Sequence, residues 1–69
     1  LHNDDFSPML HVVLSLMKVF GHSRPLAIKI MDEAHMHGSA IAEVEPRHLA
    51  SLHRDQLISY GLSVTLNSI

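Results

Sequence analysis

Two clusters in this chain have residue types and spacing that could do chemistry. Asn3-Asp4-Asp5 sets an amide oxygen beside two carboxylates. Such a run suits a cation, an organic ammonium included. It suits equally a turn feeding a helix, because Asn and Asp bond to their own backbone and acids favour the positive helix end. Met31, Ala34 and His35 stand at i, i+3 and i+4 and so share a helix face. They read as core packing with His35 at its edge, or as a pocket wall of Met31 and Ala34 with His35 at the rim. Methionine adapts its shape to apolar ligands, and a neutral imidazole accepts a hydrogen bond through one ring nitrogen.

The other reactive residue types offer less. Seven histidines are many for 69 residues, yet their spacing does not close a metal site. His35 and His37, at i, i+2, do not face each other on a helix, and His48 and His53, at i, i+5, do no better. Scattered surface histidines are the plainer reading. Ser7 is a helix cap rather than a nucleophile, since no serine sits in a glycine-rich elbow. Adjacent Asp4 and Asp5 do not by themselves flank a substrate, and no glycine-rich loop cradles a phosphate. The residues point to no enzyme, no cofactor and no metal.

Those clusters need elements to hold them. Ser7 caps a first helix and Pro8 fits its first position. Met9, Val12, Val13, Leu16, Met17 and Phe20 then form one apolar stripe that Gly21 ends, while Leu10 and Leu14 lie off it. A second helix is expected from near Ser23, with Pro25 in its first turn and Gly38 at its end. Its apolar side is Leu26, Ala27, Ile30, Met31 and Ala34. Ser39 to Glu45, with Ile41 and Val44, predicts a strand. Pro46 opens a third helix with Leu49, Leu52, Leu57 and Tyr60 on one side, ended by Gly61. Leu62, Val64 and Leu66 alternate with polar residues, the period of a half-buried strand. Leu1-His2 reads as the end of a truncated first strand. The expected fold is a single α+β domain over residues 1–69. Its order is β-α-α-β-α-β, with a small three-stranded antiparallel sheet covered on one face by three helices.

Composition excludes several classes. No apolar run nears the length of a transmembrane helix, and no signal-peptide pattern is present. Five Lys and Arg against seven Asp and Glu, scattered along the chain, give no clustered positive charge for nucleic acid. A hydrophobic fraction of 46% is too high for a disordered segment. No cysteine is present to form a disulfide or a thiolate zinc site, which fits a reducing compartment. An opening Leu1 rather than Met leads to the expectation of an upstream piece.

Taken in order, the motifs resemble the ClpS family, adaptors of Clp-type AAA+ proteases in the N-degron pathway. Leu1-His2-Asn3-Asp4-Asp5-Phe6-Ser7-Pro8-Met9 is similar to that family's strand end, Asn-Asp-Asp loop and Ser/Thr-Pro-Met helix start. Ile30-Met31-Asp32-Glu33-Ala34-His35-Met36-His37-Gly38 resembles its Met-x-x-Val-His-x-x-Gly helix end, and Gly61-Leu62-Ser63-Val64-Thr65-Leu66 its last strand. The resemblance implies an adaptor, not an enzyme. It would bind the free α-amino group and large hydrophobic first residue (Leu, Phe, Tyr or Trp) of substrate proteins. It would then deliver them to a Clp AAA+ unfoldase, docking on the unfoldase's N-terminal domain.

The same resemblance puts the α-amino contacts on Asn3, Asp4 and His35. It puts the hydrophobic pocket on Leu1, Ser7, Met9, Val12, Met31, Ala34 and Leu62, with Met9 as a gate against β-branched first residues. Phe6 matches an aromatic unfoldase contact. The chain departs from the pattern at Ala34, where the family usually has a branched residue, which implies a wider pocket floor. Its third helix matches a shortened form, and His48 and His53 fall where some relatives use Glu and Lys to dock. The implied compartment is a bacterial cytoplasm or the stroma of an organelle of bacterial descent. Two other readings remain: a structural or interaction domain of the same fold, as in the ribosomal stalk, and a small metal-binding or hydrolytic domain using His35, His37 and Asp4.

Overall fold

Three helices follow one another in the computed structural model, which describes Leu1 and residues 9–67. They are α1 (Met9–Phe20), α2 (Arg24–His37) and α3 (Arg47–Ser59). The expected cap of α1, Ser7-Pro8, lies outside the described residues. The start of α2 is written locally. Ser23 has extended φ/ψ, its side chain accepts from the Leu26 N–H, and Pro25 lies in the first turn, where its missing N–H is not needed. Its end is equally local: Gly38 takes φ 85°, a left-handed conformation that costs a residue with a Cβ about 1–2 kcal/mol.

The core forms where α1 meets both other helices; α2 and α3 do not approach each other. Val12, Val13 and Leu16 of α1 face Ala27, Ile30 and Ala34 of α2 and Leu57 of α3, with Leu1 and Leu62 completing the cluster. Leu16 and Leu57 are wholly buried, each worth about 1.5–3 kcal/mol in area removed from water. Leu10 and Leu14, off the stripe, are exposed. Leu49 and Leu52, on the same side of α3 as Leu57, are exposed as well. Of the other two helices α3 contacts only α1, and burial reaches only the far end of its apolar side.

The expected three-stranded sheet is not found. The described residues hold three helices and no strand. Leu1 and Ala40 exchange two backbone hydrogen bonds, 2.8 Å from the Leu1 amino group to the Ala40 carbonyl and 2.7 Å in return. That pairing does not extend into a strand among the described residues. Residues 62–67 do alternate: Leu62 is buried, Val64 and Leu66 are half-buried, and Ser63, Thr65 and Asn67 are exposed. Alternation records which side chains face the core and says nothing of what the main chain pairs with. In 39–45 the inward residues are Ala40 and Ala42, while Ile41 and Val44 are 67% and 63% exposed. The exchange between Leu1 and Ala40 sets this parity, and residue size does not override it.

Three histidines tie together parts of the chain that are separate in sequence. The Nε2–H of His11 donates to the Tyr60 carbonyl at 2.6 Å, tying α1 to the end of α3. The Nε2–H of His22 donates to the Ala42 carbonyl at 2.8 Å. The Nδ1–H of His53 donates to both Glu45 carboxylate oxygens, at 2.9 and 2.7 Å. Phe20 lies between the last two, stacked on His22 and edge-on to His53, with both centroid distances 5.1 Å.

Candidate functional site

The C-terminal half of α2 carries the residues with most to do. Met31, Ala34 and His35 share a face, and the structure grades them by depth: Ala34 is 4% exposed, Met31 half-buried and His35 exposed. That is an apolar base with an imidazole above it. Gly38 stops the helix one turn later, so the last-turn carbonyls and the negative end of the helix dipole lie close to His35. A cation is stabilised at such an end, by about 0.3–1 kcal/mol when exposed.

Other elements converge on the base. Val12 of α1, Leu1, Leu62 and Ala34 belong to one buried cluster, and Met31 packs against it. Leu1 reaches it through its exchange with Ala40, two residues beyond Gly38. Leu62 is placed by its N–H, which donates to the Leu57 carbonyl at 3.1 Å as the chain leaves α3. Met9 lies one turn before Val12 and is 51% exposed, so the outer end of the α1 stripe is open to a ligand. Burial lowers the pKa of the Leu1 amino group from its ordinary 8.0.

Of the residues singled out in the sequence, Leu1, Val12, Met31, Ala34 and Leu62 come together, with Met9 and His35 at exposed positions on the helices that carry them. Asn3, Asp4, Phe6 and Ser7 lie outside the described residues. His48 is exposed, whereas His53 is committed to Glu45, with side-chain exposures of 20% and 13%. No group of three or more metal-ligating side chains is gathered among the described residues. The parts played by His11, His22 and His53 escaped the sequence reading. Their acceptors lie 49, 20 and 8 residues away, so no local pattern announces them.

The comparisons with known proteins agree on one family. Residues 1–65 match the family described as "ATP-dependent Clp protease adaptor protein ClpS". The chain is similar to the ATP-dependent Clp protease adapter protein ClpS of Synechococcus elongatus, 43% identical over 70 residues, covering 96% of this chain and 70% of that protein. It is similar to the protein of the same name from another Synechococcus, 44% identical over 66 residues, covering 90% and 69%. The one from Aromatoleum aromaticum is 35% identical over 61 residues, covering 88% of this chain and 60% of its own length. Among the described residues, no helix is long and apolar enough to cross a membrane.

Proposed function

This chain belongs to the ClpS family, and from that premise we propose that it is an adaptor that selects proteins by their first residue and passes them to a Clp-type AAA+ protease. The ligand is a free α-amino group carried on a large hydrophobic side chain: Leu, Phe, Tyr or Trp. One observation supports this reading above the others. Buried Ala34, half-buried Met31 and exposed His35 lie in sequence on the last turns of α2, beside Val12, Leu1 and Leu62. An apolar base under an acceptor, at the negative end of a helix, matches a ligand that is an ammonium beside an apolar side chain.

In this reading the first side chain packs against Met31, Ala34, Val12, Leu1 and Leu62, with Ser7 completing the wall. Met9 stands at the mouth, where its bulk disfavours β-branched first residues. His35 accepts from the ammonium through one ring nitrogen, together with Asn3 and Asp4. Burying a Leu or Phe side chain contributes about 1.5–3 kcal/mol. Micromolar affinity needs about 8 kcal/mol, so the polar contacts and the peptide backbone must supply the rest. Phe6 is assigned to the N-terminal domain of the unfoldase.

Fluorescence anisotropy with labelled peptides tests this reading. The peptides differ only at the first residue: Leu, Phe, Trp, Ile or Ala, with N-acetylated Leu as control. Leu and Phe peptides should bind, Ile should bind more weakly than Leu, and acetylation should abolish binding. Equal binding of free and acetylated Leu peptides would refute α-amino recognition.

A further inference from the structure

A second surface lies away from the Met31–Ala34–His35 face. Between α2 and residues 41–44 runs a cleft of about 260 Å³, with Leu26, Ile30, Ile41 and Val44 among its apolar lining. The chain beside it has one edge in use. Ala40 spends its N–H and carbonyl on Leu1, His22 covers the Ala42 carbonyl, and the Glu43 carboxylate caps the Val44 N–H at 3.0 Å. Burial alternates from Ala40 to Glu43, the period of extended chain. The backbone groups of Ile41 and Glu43 then point the other way, and among the described residues they have no hydrogen-bond partner.

Unused main-chain groups along an apolar cleft are what an extended peptide pairs with. Charge narrows the choice of peptide. Glu33 and Glu43 lie on the cleft with Lys29 and His22; Glu43 is 3.9 Å from His22, and among the described residues neither Glu33 nor Lys29 is in an ion pair, so the two carboxylates outnumber the single lysine. We propose that Ile41–Val44 is a docking edge for an extended partner segment that alternates apolar and basic side chains. The partner's backbone bonds to Ile41 and Glu43, its apolar side chains enter against Leu26, Ile30 and Val44, and its Lys or Arg residues face Glu33 and Glu43. This surface is independent of first-residue recognition.

The test is an NMR titration of the ¹⁵N-labelled chain with acetyl-Lys-Val-Lys-Val-Lys-Val-amide. Acetylation keeps this peptide from competing for an α-amino site. The amides of Ile41 and Glu43 should shift and saturate, and a Glu-Val counterpart should bind about fivefold more weakly, the upper scale of one exposed ion pair. N-methylation at alternate peptide residues should remove binding, because it takes away main-chain donors. The surface double variant Glu33→Lys/Glu43→Lys should reverse the preference between the two peptides. Unshifted amides at 41 and 43, an unchanged preference in the double variant, or shifts on simple concentration of the chain, meaning that a second copy fills the edge, would each overturn the proposal.

Discussion

Substituting Ala34 by Val probes the base of the candidate site most sharply. Ala34 is 4% exposed and packed in the cluster that joins α1 to α2. Valine adds two methyl carbons there, each worth about 0.8 kcal/mol if room exists for it. In a filled core the same carbons cost about 1–3 kcal/mol through displaced neighbours, and β-branching takes a few tenths more from a helix. Thermal unfolding should therefore show a net loss of about 1–2 kcal/mol, with the chain still folded. The functional effect is separate. A methyl-sized change in an apolar pocket is worth about 1–3 kcal/mol of discrimination between ligands of different size. Peptides starting with Trp should lose about tenfold in affinity relative to those starting with Leu. Competition anisotropy with both peptides, on protein verified as folded, measures this ratio. An equal loss for Trp and Leu would mean that Ala34 supports the fold without shaping the pocket.

Four further outcomes are expected. His35→Ala should weaken Leu-peptide binding about tenfold or more in the same anisotropy assay, because the ammonium loses an acceptor and a hydrogen bond to a charged group is worth about 1.5–3 kcal/mol. Gly38→Ala should cost about 1 kcal/mol in denaturant unfolding, because φ is 85° while nothing lies within 4 Å of an added Cβ, leaving only the backbone cost. A double-mutant cycle of His53→Ala and Glu45→Ala should give a coupling of about 1.5 kcal/mol, as a hydrogen bond to a half-buried carboxylate does; a coupling near zero would demote this contact to surface decoration. In the 69-residue chain, burial holds the folded amino-terminal pKa below its ordinary 8.0, so the folded state releases its proton first. Stability should rise as pH climbs towards and through 8.0, and a chain with one extra residue before Leu1 should lack this rise.

The helix ends were legible in the sequence because their causes are local. Ser23, Pro25 and Gly38 bracket α2 through chemistry within a few residues. The stripe of α1 was legible too, since Val12, Val13 and Leu16 need only a periodicity to be recognised as inward. Parity in the 39–45 segment was not. Nothing within the segment fixes it: the pairing of Ala40 with Leu1, 39 residues away, turns Ala40 and Ala42 inward. Strands are decided by neighbours, and alternation at residues 62–67 told only of burial. The trio on α2 was legible as a shared face. Its graded depth came only with the packing of Val12, Leu1 and Leu62 around it.

On the proposed function, the first side chain of a substrate rests against Met31 and Ala34. Intermolecular NOEs to a peptide with a ¹³C-labelled Leu at its first position measure this directly. The Leu methyl groups should show NOEs to the methyl groups of Met31, Ala34 and Val12, and N-acetylation of the peptide should remove them. A peptide that binds with NOEs only to other surfaces of the domain would contradict the account.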